Sequence, residues 1–282
     1  MYEVSARVLA CESLSAQLSL LLVEAPEIAA AALPGQFVMV QCDGHALRRP
    51  ISIHAAGDGR VALLFRMKGQ GTQWLSTCVA GQTLSITGPL GRPYTVPQSR
   101  GHLLLVGGGV GIAPLCFLAA EAAENHDVVL VQGAVTATDL YSAPPKLQTL
   151  IPSMQRLNKV QSVFATDDGT EGFRGTACDA CLDYLEWADA VYLCGPVVMC
   201  AAVNALACER PFCEFSRNPA VLHDDTAVQK LLDAQVSLEV RMGCGVGACY
   251  CCSVSTVSGR KKVCADGPVF GLSDVLWNEI VV

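Results

Sequence analysis

The pattern of apolar runs changes near Gln98, and this change limits the folds that the chain can adopt. Before it, short segments rich in β-branched residues, such as GQFVMVQC and RVALLFRM, are separated by Gly, Asp and Pro. After it, apolar runs such as HLLLVGGGV and DVVLVQG alternate with stretches of helical composition. The first pattern predicts an antiparallel barrel or sandwich, and the second predicts βαβ units around a parallel sheet.

We therefore predict a multi-domain β plus α/β protein built from three blocks. The predicted boundaries are an antiparallel barrel over residues 1–97, a parallel-sheet domain over residues 98–224 and a small C-terminal domain over residues 225–282. The stretch from Cys208 to Asp225 has the weakest pattern and is predicted to be a linker. The chain has no internal repeat and no low-complexity segment.

Composition and charge favour a well-buried globular protein that binds small molecules or another protein. Hydrophobic residues make up 51% and charged residues 16%, while the net charge of -7 comes without a basic cluster that could bind nucleic acid or an anionic membrane. The amino terminus lacks a signal-peptide pattern, and no apolar run reaches the length of a membrane span. We therefore expect a cytoplasmic protein, in which fifteen cysteines serve as thiols and ligands rather than disulfides.

Four cysteines near the carboxyl terminus have the spacing of metal-cluster ligands. Cys244, Cys249 and Cys252 form C-x4-C-x2-C, and Cys264 follows after eleven residues, which is the plant-type layout for a [2Fe–2S] cluster. The residues between the first two cysteines are small, so backbone amides could approach the sulfur atoms. Cys251 is adjacent to Cys252 and is interpreted as a free thiol.

The cysteines also allow simpler interpretations. Four thiolates could hold a structural zinc ion, although zinc sites usually pair two short arms and here three cysteines share one glycine-rich loop. Cys178 and Cys181 match a C-x-x-C redox motif. We favour the alternative that these two are small buried side chains at the start of a helix.

Two segments of the first block could contact an anionic cofactor. In LRRPISIH, Arg49 could present its guanidinium to a pyrophosphate, and Ser52 could hydrogen-bond a heterocycle. In RMKGQGTQWL, Gly69 and Gly71 precede Thr72, so that donors could approach a phosphate before a short helix. Each segment also has an ordinary interpretation, as a strand and as a turn that begins a helix.

The second block opens with a glycine-rich strand-to-helix loop, LLLVGGGVGIAPL. It places Gly107, Gly108, Gly109 and Gly111 before a helix that starts near Ala113, an arrangement that suits a phosphate or a tight βα turn. The loop departs from the standard dinucleotide motif, which has a glycine at the position of Ile112. Farther on, Cys194 ends a strand at the carboxyl edge of the sheet, where it could face a nicotinamide or only pack.

The chain contains, in this order, the segments LRRPISIH, RMKGQGTQWL and LLLVGGGVGIAPL and the turn Cys194-Gly195-Pro196. This order resembles the ferredoxin reductase superfamily of flavin and pyridine-nucleotide modules. The C-terminal motif MGCGVGACYCCSV, followed by KKVCADGPVF and preceded by TDDGTEGFRG, is similar to the family of electron transfer subunits of class 1B dihydroorotate dehydrogenases. The resemblance covers nearly the whole chain. The connector from Cys208 to Asp225 and the extra cysteines depart from the family pattern.

The resemblance implies FAD in the barrel, NAD(H) on the α/β domain and one [2Fe–2S] cluster at the carboxyl terminus. The residues expected at the flavin are Arg49, Pro50, Ile51, Ser52, Leu64, Phe65, Arg66, Gly71 and Thr72. The candidates for the dinucleotide are Gly107, Gly108, Gly109, Gly111, Cys194, Gly195 and Pro196. The expected cluster ligands are Cys244, Cys249, Cys252 and Cys264.

The resemblance also implies a partner, an FMN-containing catalytic subunit that oxidises dihydroorotate, in a heterotetramer. The chain would relay electrons from that subunit to NAD+, with no side-chain acid or base strictly required. The segment GAVTATDLY has no Arg or Lys for a 2′-phosphate, which favours NAD over NADP. Two alternatives remain: a related flavin and iron–sulfur subunit, of the ferredoxin:NADP oxidoreductase or sulfide dehydrogenase type, and a zinc-stabilised binding protein without redox chemistry. Relatives of the first kind can lack the first cluster cysteine, which is present here as Cys244.

Overall fold

The computed structural model describes residues 1–208 and 225–280. They form a closed barrel of six antiparallel strands, a seven-stranded sheet that is mostly parallel, and a separate two-stranded hairpin. The predicted fold class is confirmed. The two end residues of the predicted linker, Cys208 and Asp225, belong to helices, and the remainder, residues 209–224, lies outside the described residues.

The barrel strands are joined in the order β1-β2-β5-β4-β3-β6. Their bounds are β1 Tyr2–Ser13, β2 Leu18–Glu24, β3 Phe37–Val40, β4 Arg49–Gly57, β5 Arg60–Arg66 and β6 Thr83–Leu90. Along β2, Leu21 and Val23 belong to the barrel interior, whereas Leu20 and Leu22 belong to the core between the barrel and the sheet. Both faces of β2 are therefore buried, which explains its continuous apolar sequence.

The sheet has the strand order β10-β9-β8-β7-β11-β12-β15. Its strands are β7 His102–Gly108, β8 Asp127–Ala134, β9 Gln161–Thr166, β10 Phe173–Arg174, β11 Ala190–Cys194, β12 Gln235–Ser237 and β15 Val269–Gly271. The hairpin consists of β13 Ser253–Thr256 and β14 Gly259–Lys262. Strand β12 pairs parallel to β11, and β15 pairs antiparallel to β12, so two strands of the predicted third block extend the sheet of the second.

The α-helices are short, and most of them cover the sheet. They are α1 Pro26–Ala31, α2 Gln70–Ser76, α3 Ile112–Ala122, α4 Pro145–Leu150, α5 Ala177–Cys181, α6 Val197–Cys208, α7 Asp225–Leu232 and α8 Val263–Asp266. Every residue of α3 except Glu121 is buried, because this helix lies between the barrel and the sheet. None of the helices within residues 1–208 and 225–280 is long and apolar enough to cross a membrane.

A fully buried histidine joins the barrel to the sheet domain. His54 of β4 is 0% exposed; its Nδ1 lies 2.9 Å from the carbonyl oxygen of Ala113, and its Nε2 lies 2.6 Å from the hydroxyl of Tyr141. The rings of His54 and Tyr141 meet edge to face with centroids 4.9 Å apart. Burial lowers the pKa of His54 to about 4, although the hydrogen bond to Ala113 opposes the shift.

We expect this histidine to make the fold sensitive to acid. The ordinary pKa of 6.5 applies in the unfolded chain, so between pH 6.5 and about 4 the unfolded state binds more protons. The free energy of unfolding should therefore fall as the pH falls through this window, by on the order of 3 kcal/mol for this group. Chemical denaturation at several pH values checks this, and His54→Gln should show a weaker pH dependence. Equal pH dependence in the two proteins would contradict the prediction.

Candidate cofactor sites

The barrel wall opens where the two predicted flavin segments face each other. The β4–β5 ladder ends at the pair of Ile53 and Leu63, while residues 49–52 of β4 pair with β3 instead. The two strands therefore separate between residues 49–52 and residues 64–66. Backbone groups on both sides of such an opening are available to a flat ring.

Arg49 and Gly71, which come from different elements, are in direct contact. The guanidinium of Arg49 lies over Gly71, where an added Cβ atom would overlap its Nε and lie 2.8 Å from Cζ and 2.9 Å from Nη2. Arg49 also donates to the carbonyl of Leu47 at 2.5 Å. The absence of a side chain at Gly71 thus lets the guanidinium lie at the amino terminus of α2. A cation in this place fits an anionic group of a cofactor.

The other predicted flavin residues differ in burial and in their hydrogen bonds. The side chains of Leu64 and Phe65 are 1% and 3% exposed and pack in the core. The Thr72 hydroxyl accepts from the amides of Lys68 and Gly69, at 3.0 and 3.1 Å, so it closes the loop before α2. The remaining members of the set lie along the opening, with Ile51 buried, Pro50 and Ser52 half-buried and Arg66 exposed. Their contacts with a flavin stay a prediction.

The glycine-rich loop after β7 interlocks with the turn after β11. An added Cβ at Gly111 would collide with the backbone of Cys194 and Gly195, and one at Gly108 would lie 3.0 Å from Pro196. Gly107 is equally close to Ile112, with contacts from 3.0 Å. Packing alone therefore requires glycine at position 111 and favours it at 107 and 108, which supports the tight-turn interpretation for these three residues.

Gly109 differs from the other glycines of this loop. It has a φ of +54° and no atom within 4 Å of a Cβ position. A ligand could approach this open backbone at the amino terminus of α3.

The carboxyl edge of the sheet carries an acidic residue that the sequence analysis missed, Glu239, which follows β12. Cys194 is 1% exposed, and its Sγ lies 3.9 Å from Oε1 of Glu239. The residue Glu239 is exposed overall, yet the protein atoms packed around its carboxyl exclude water and so raise the pKa of that group. The positive charges of Lys68 and Arg66 of the barrel oppose this shift. Burial, followed by the charge of Glu239, raises the pKa of Cys194 far above its ordinary value, so this thiol stays protonated. In the sequence, Glu239 is the single charged residue in the stretch VSLEV, and this was the available signal for it.

The turn after β9 lies over the end of β8. The amide of Asp167 donates to the carbonyl of Ala134 at 3.1 Å, and the hydroxyl of Thr170 accepts from the amide of Ala137 at 2.9 Å. The carboxylate of Asp168 accepts from the hydroxyl and the amide of Thr170, which lowers its pKa. Two acidic residues, Asp167 and Asp168, are therefore present at the carboxyl edge of the sheet, over the strand next to the one that leads into the glycine-rich loop.

The cysteine loop directs backbone amides at its sulfur atoms. The amides of Val246, Ala248 and Cys249 lie 3.4, 3.3 and 3.4 Å from Sγ of Cys244, and the amide of Gly247 lies 3.1 Å from Sγ of Cys264. Gly245 and Gly247 have φ values of +73° and +79°, which glycine adopts without strain. Amides that point at sulfur are a common feature of iron–sulfur sites.

The four predicted ligands form two pairs. Cys249 hydrogen-bonds Cys244 through both its amide and its thiol, and the amide of Cys264 lies 3.4 Å from Sγ of Cys252. Within residues 1–208 and 225–280, no three His, Cys, Asp or Glu side chains converge on a single metal position. Two pairs of thiols suit a cluster of two irons better than one tetrahedral zinc ion.

At Cys244 the hydrogen bonds favour the thiolate form that iron needs, whereas burial and the thiol of Cys252 raise the pKa of Cys264 to about 12. Burial opposes ionisation of Cys244, but the bonds from Val246, Cys249 and Ala248 outweigh it and lower the pKa to about 6. Cys252 and Cys264 are 3% and 2% exposed, which shields this pair from solvent. The residues present therefore fit a [2Fe–2S] cluster.

The cysteine loop is packed directly on the barrel. An added Cβ at Gly245 would lie 2.5 Å from Cγ of Met39 and 3.4 Å from Cδ1 of Leu90. Met39 pairs with Pro50 across the β3–β4 ladder. One strand therefore separates the cysteine loop from the predicted flavin segment.

The remaining cysteines have separate surroundings. Cys251 is exposed, and its thiol lies 3.9 Å from the carbonyl of Arg241. Cys178 and Cys181 are 8% and 1% exposed in α5, and burial raises the pKa of both thiols. Their interpretation as buried side chains is confirmed.

Two family models match the chain. The model described as the iron-sulfur cluster binding domain of dihydroorotate dehydrogenase B matches residues 239–276. The model described as the oxidoreductase NAD-binding domain matches residues 105–205. The first includes all four predicted cluster ligands, and the second includes the glycine-rich loop and the turn at Cys194.

Curated relatives and solved structures are similar over most of the chain. The dihydroorotate dehydrogenase B (NAD(+)) electron transfer subunit of Desulforamulus reducens is 36% identical over 265 residues, which cover 90% of each chain. The subunit of the same name from Caldanaerobacter subterraneus subsp. tengcongensis is 34% identical, with 86% of this chain and 87% of that one covered. The structure of an NADH-dependent reduced ferredoxin-NADP oxidoreductase aligns with a TM-score of 0.78 at 24% identity, covering 98% of this chain and 91% of that one, which shows a shared fold.

Proposed function

Because the chain belongs to the family of dihydroorotate dehydrogenase B electron transfer subunits, we propose that it passes electrons from a dihydroorotate-oxidising partner to NAD+. The proposal places a [2Fe–2S] cluster on Cys244, Cys249, Cys252 and Cys264. It places FAD at the barrel opening and NAD(H) at the carboxyl edge of the sheet.

The observation that carries this proposal is the seat of the cysteine loop on the barrel. Gly245 lies against Met39, whose strand partner Pro50 belongs to the predicted flavin segment. Cys194 and Glu239 lie at the carboxyl edge of the sheet, where the carboxyl of Glu239 is close enough to the barrel for the charges of Lys68 and Arg66 to act on it. The two predicted redox sites and the predicted dinucleotide site are therefore neighbours, as a relay requires.

Bound flavin would supply the exchange between the two-electron chemistry of nicotinamide and the one-electron chemistry of the cluster. The residues of this chain would hold and orient the cofactors. The amides around Cys244 stabilise thiolate sulfur, and the Arg49 guanidinium at α2 would neutralise the phosphate charge of bound FAD. The buried pair of Cys252 and Cys264 excludes water from one side of the cysteine loop.

The partner and the assembly are also part of the proposal. We infer a separate catalytic subunit that contains FMN, in a heterotetramer, because the curated relatives are named electron transfer subunits. The exposed side of the cysteine loop, with Val246 50% and Tyr250 67% exposed, is available for that contact. A cytoplasmic location suits cysteine ligands that must stay reduced.

Spectroscopy of the anaerobically purified protein tests the proposal. We expect flavin bands and [2Fe–2S] absorption, together with iron and acid-labile sulfide, and we expect NADH to bleach the visible spectrum. Adding the catalytic subunit and dihydroorotate should reduce the same cofactors. A colourless protein that binds zinc and does not respond to NADH would refute the proposal.

We expect the turn after β9 to favour NADH over NADPH. Asp167 and Asp168 lie at the carboxyl edge of the sheet, beyond the end of β8, where their negative charges would repel a 2′-phosphate. The double variant Asp167→Asn/Asp168→Asn should raise the ratio of NADPH to NADH efficiency in flavin reduction by about tenfold.

The control removes one negative charge elsewhere. Asp58→Asn changes a turn residue of the β4–β5 hairpin with a φ of +50°, which asparagine tolerates equally well. We expect it to leave the nucleotide ratio unchanged. A double variant with the ratio of the unmodified protein would contradict the role given to the turn.

A further inference from the structure

The buried histidine of β4 has a fixed protonation pattern. The carbonyl of Ala113 can only accept a hydrogen bond, so Nδ1 of His54 carries the proton and Nε2 accepts from the hydroxyl of Tyr141. Both nitrogens are satisfied while the side chain is 0% exposed. Nothing in the proposed electron transfer requires this residue to exchange a proton.

The partners of His54 lie in segments next to the predicted dinucleotide site. Ala113 is in the first turn of α3, two residues after Gly111 of the glycine-rich loop. Tyr141 follows β8 at the carboxyl edge of the sheet. Gln132, a buried residue of β8, faces the backbone of Tyr141; with its side-chain amide oriented so that each donor meets an acceptor, it donates to the carbonyl of Tyr141 at 3.1 Å and accepts from its amide.

The histidine itself lies on the strand that contains the predicted flavin segment, β4. His54 lies two residues after Ser52 on β4, next to the point where the β4–β5 ladder opens. Apolar contacts between the barrel and α3 resist separation but are not directional. The hydrogen bonds of His54 are directional, and in a buried setting a satisfied polar network favours one arrangement.

We propose that His54 is a positioning residue: its bridge to Ala113 and Tyr141 fixes the barrel strand beside the flavin site relative to the loops that bind NAD(H). The inference rests on the proposed function. Transfer between two bound molecules depends on their alignment, and a displacement of about 1 Å can slow a reaction by roughly a hundredfold. His54 would therefore govern the rate of transfer rather than the retention of either cofactor.

The test uses Tyr141→Phe, which removes one hydroxyl, in the holoprotein with FAD and the cluster in place. Stopped-flow measurement of flavin reduction by NADH should show a rate lower by about tenfold or more. The dissociation constant for ADP-ribose, which has no redox chemistry, should change by less than about threefold, since the variant leaves the dinucleotide loop itself intact. Hydrogen exchange across residues 135–144 should become faster because the hydroxyl anchor is lost.

Two further variants separate positioning from stability. His54→Gln can restore one of the two hydrogen bonds and should give an intermediate rate, whereas His54→Leu should give the lowest rate at comparable flavin content. Tyr192→Phe is the matched control, since it removes another buried hydroxyl, which donates to the carbonyl of Thr95 at 3.0 Å outside the bridge. This control should reduce its flavin at the unmodified rate.

The outcomes are distinguishable. If NADH does not reduce the flavin of the unmodified protein, the proposed function fails. If it does, and Tyr141→Phe stays within about twofold of that rate or slows only in proportion to lost FAD, the positioning role alone is overturned. A reduced rate with unchanged ADP-ribose affinity and faster exchange of residues 135–144 supports the role.

Discussion

Replacing Cys252 by serine is expected to remove the cluster, because serine cannot supply the thiolate that iron requires. Cys252 is 3% exposed and lies beside Cys264, whose amide is 3.4 Å from its sulfur. Iron and acid-labile sulfide should fall to background in the variant. Reduction of NAD+ by dihydroorotate in the complex should fall by more than about 100-fold, while NADH should still reduce the flavin.

The adjacent residue provides a matched control. Cys251 is exposed, and its thiol lies near the carbonyl of Arg241, away from the paired sulfurs. Cys251→Ser should therefore keep its iron, its sulfide and its activity. Loss of the cluster in this control, or its retention in Cys252→Ser, would show that the ligand set is wrong.

Substituting alanine at Gly71 should weaken FAD binding without unfolding the barrel. The added Cβ would overlap the Arg49 guanidinium, which is the mobile end of a long side chain and can move away. The fold can thus accommodate the change, but the guanidinium loses its place at α2. A charge-assisted hydrogen bond contributes about 1.5–3 kcal/mol, so FAD affinity should fall roughly ten- to hundredfold.

Gly69 allows a control within the same loop. Its φ is -150°, and no atom lies within 4 Å of its Cβ position, so alanine fits there. Gly69→Ala should lose less FAD affinity than Gly71→Ala, because its Cβ leaves the Arg49 guanidinium in place. Arg49→Ala should match the loss of Gly71→Ala, and the double variant should add little, because both changes remove one interaction. Additive losses would mean that Gly71 acts independently of Arg49.

The sequence predicts the parts of the fold that have a regular pattern. The alternation of strands and helices after Gln98 is visible because the central strands β7, β8 and β11 are largely apolar runs. Strands β12 and β15 have three residues each, too few to show a period, and their place in the sheet depends on partners far along the chain.

The candidate sites likewise combine features that are local in the sequence with contacts that form only in the folded chain. The spacing of the four cysteines is local, so it could be recognised directly. The contact of Arg49 with Gly71 and the bridge of His54 to Tyr141, which are 87 positions apart, are tertiary. No local pattern predicts such contacts, since they depend on how the barrel and the sheet pack together.

The pairing of β12 with β11 and of β15 with β12 restricts how such a chain can be recombined with others. A gene fusion that joined only the cysteine motif to another reductase would leave out β12, which ends at Ser237, just before the matched cluster domain begins at residue 239. The transplanted loop would then lack the strand that continues the host sheet. The exchangeable unit is therefore the sheet edge together with the cysteine loop, and crossover points between β11 and β12 should give the chimaeras that fold.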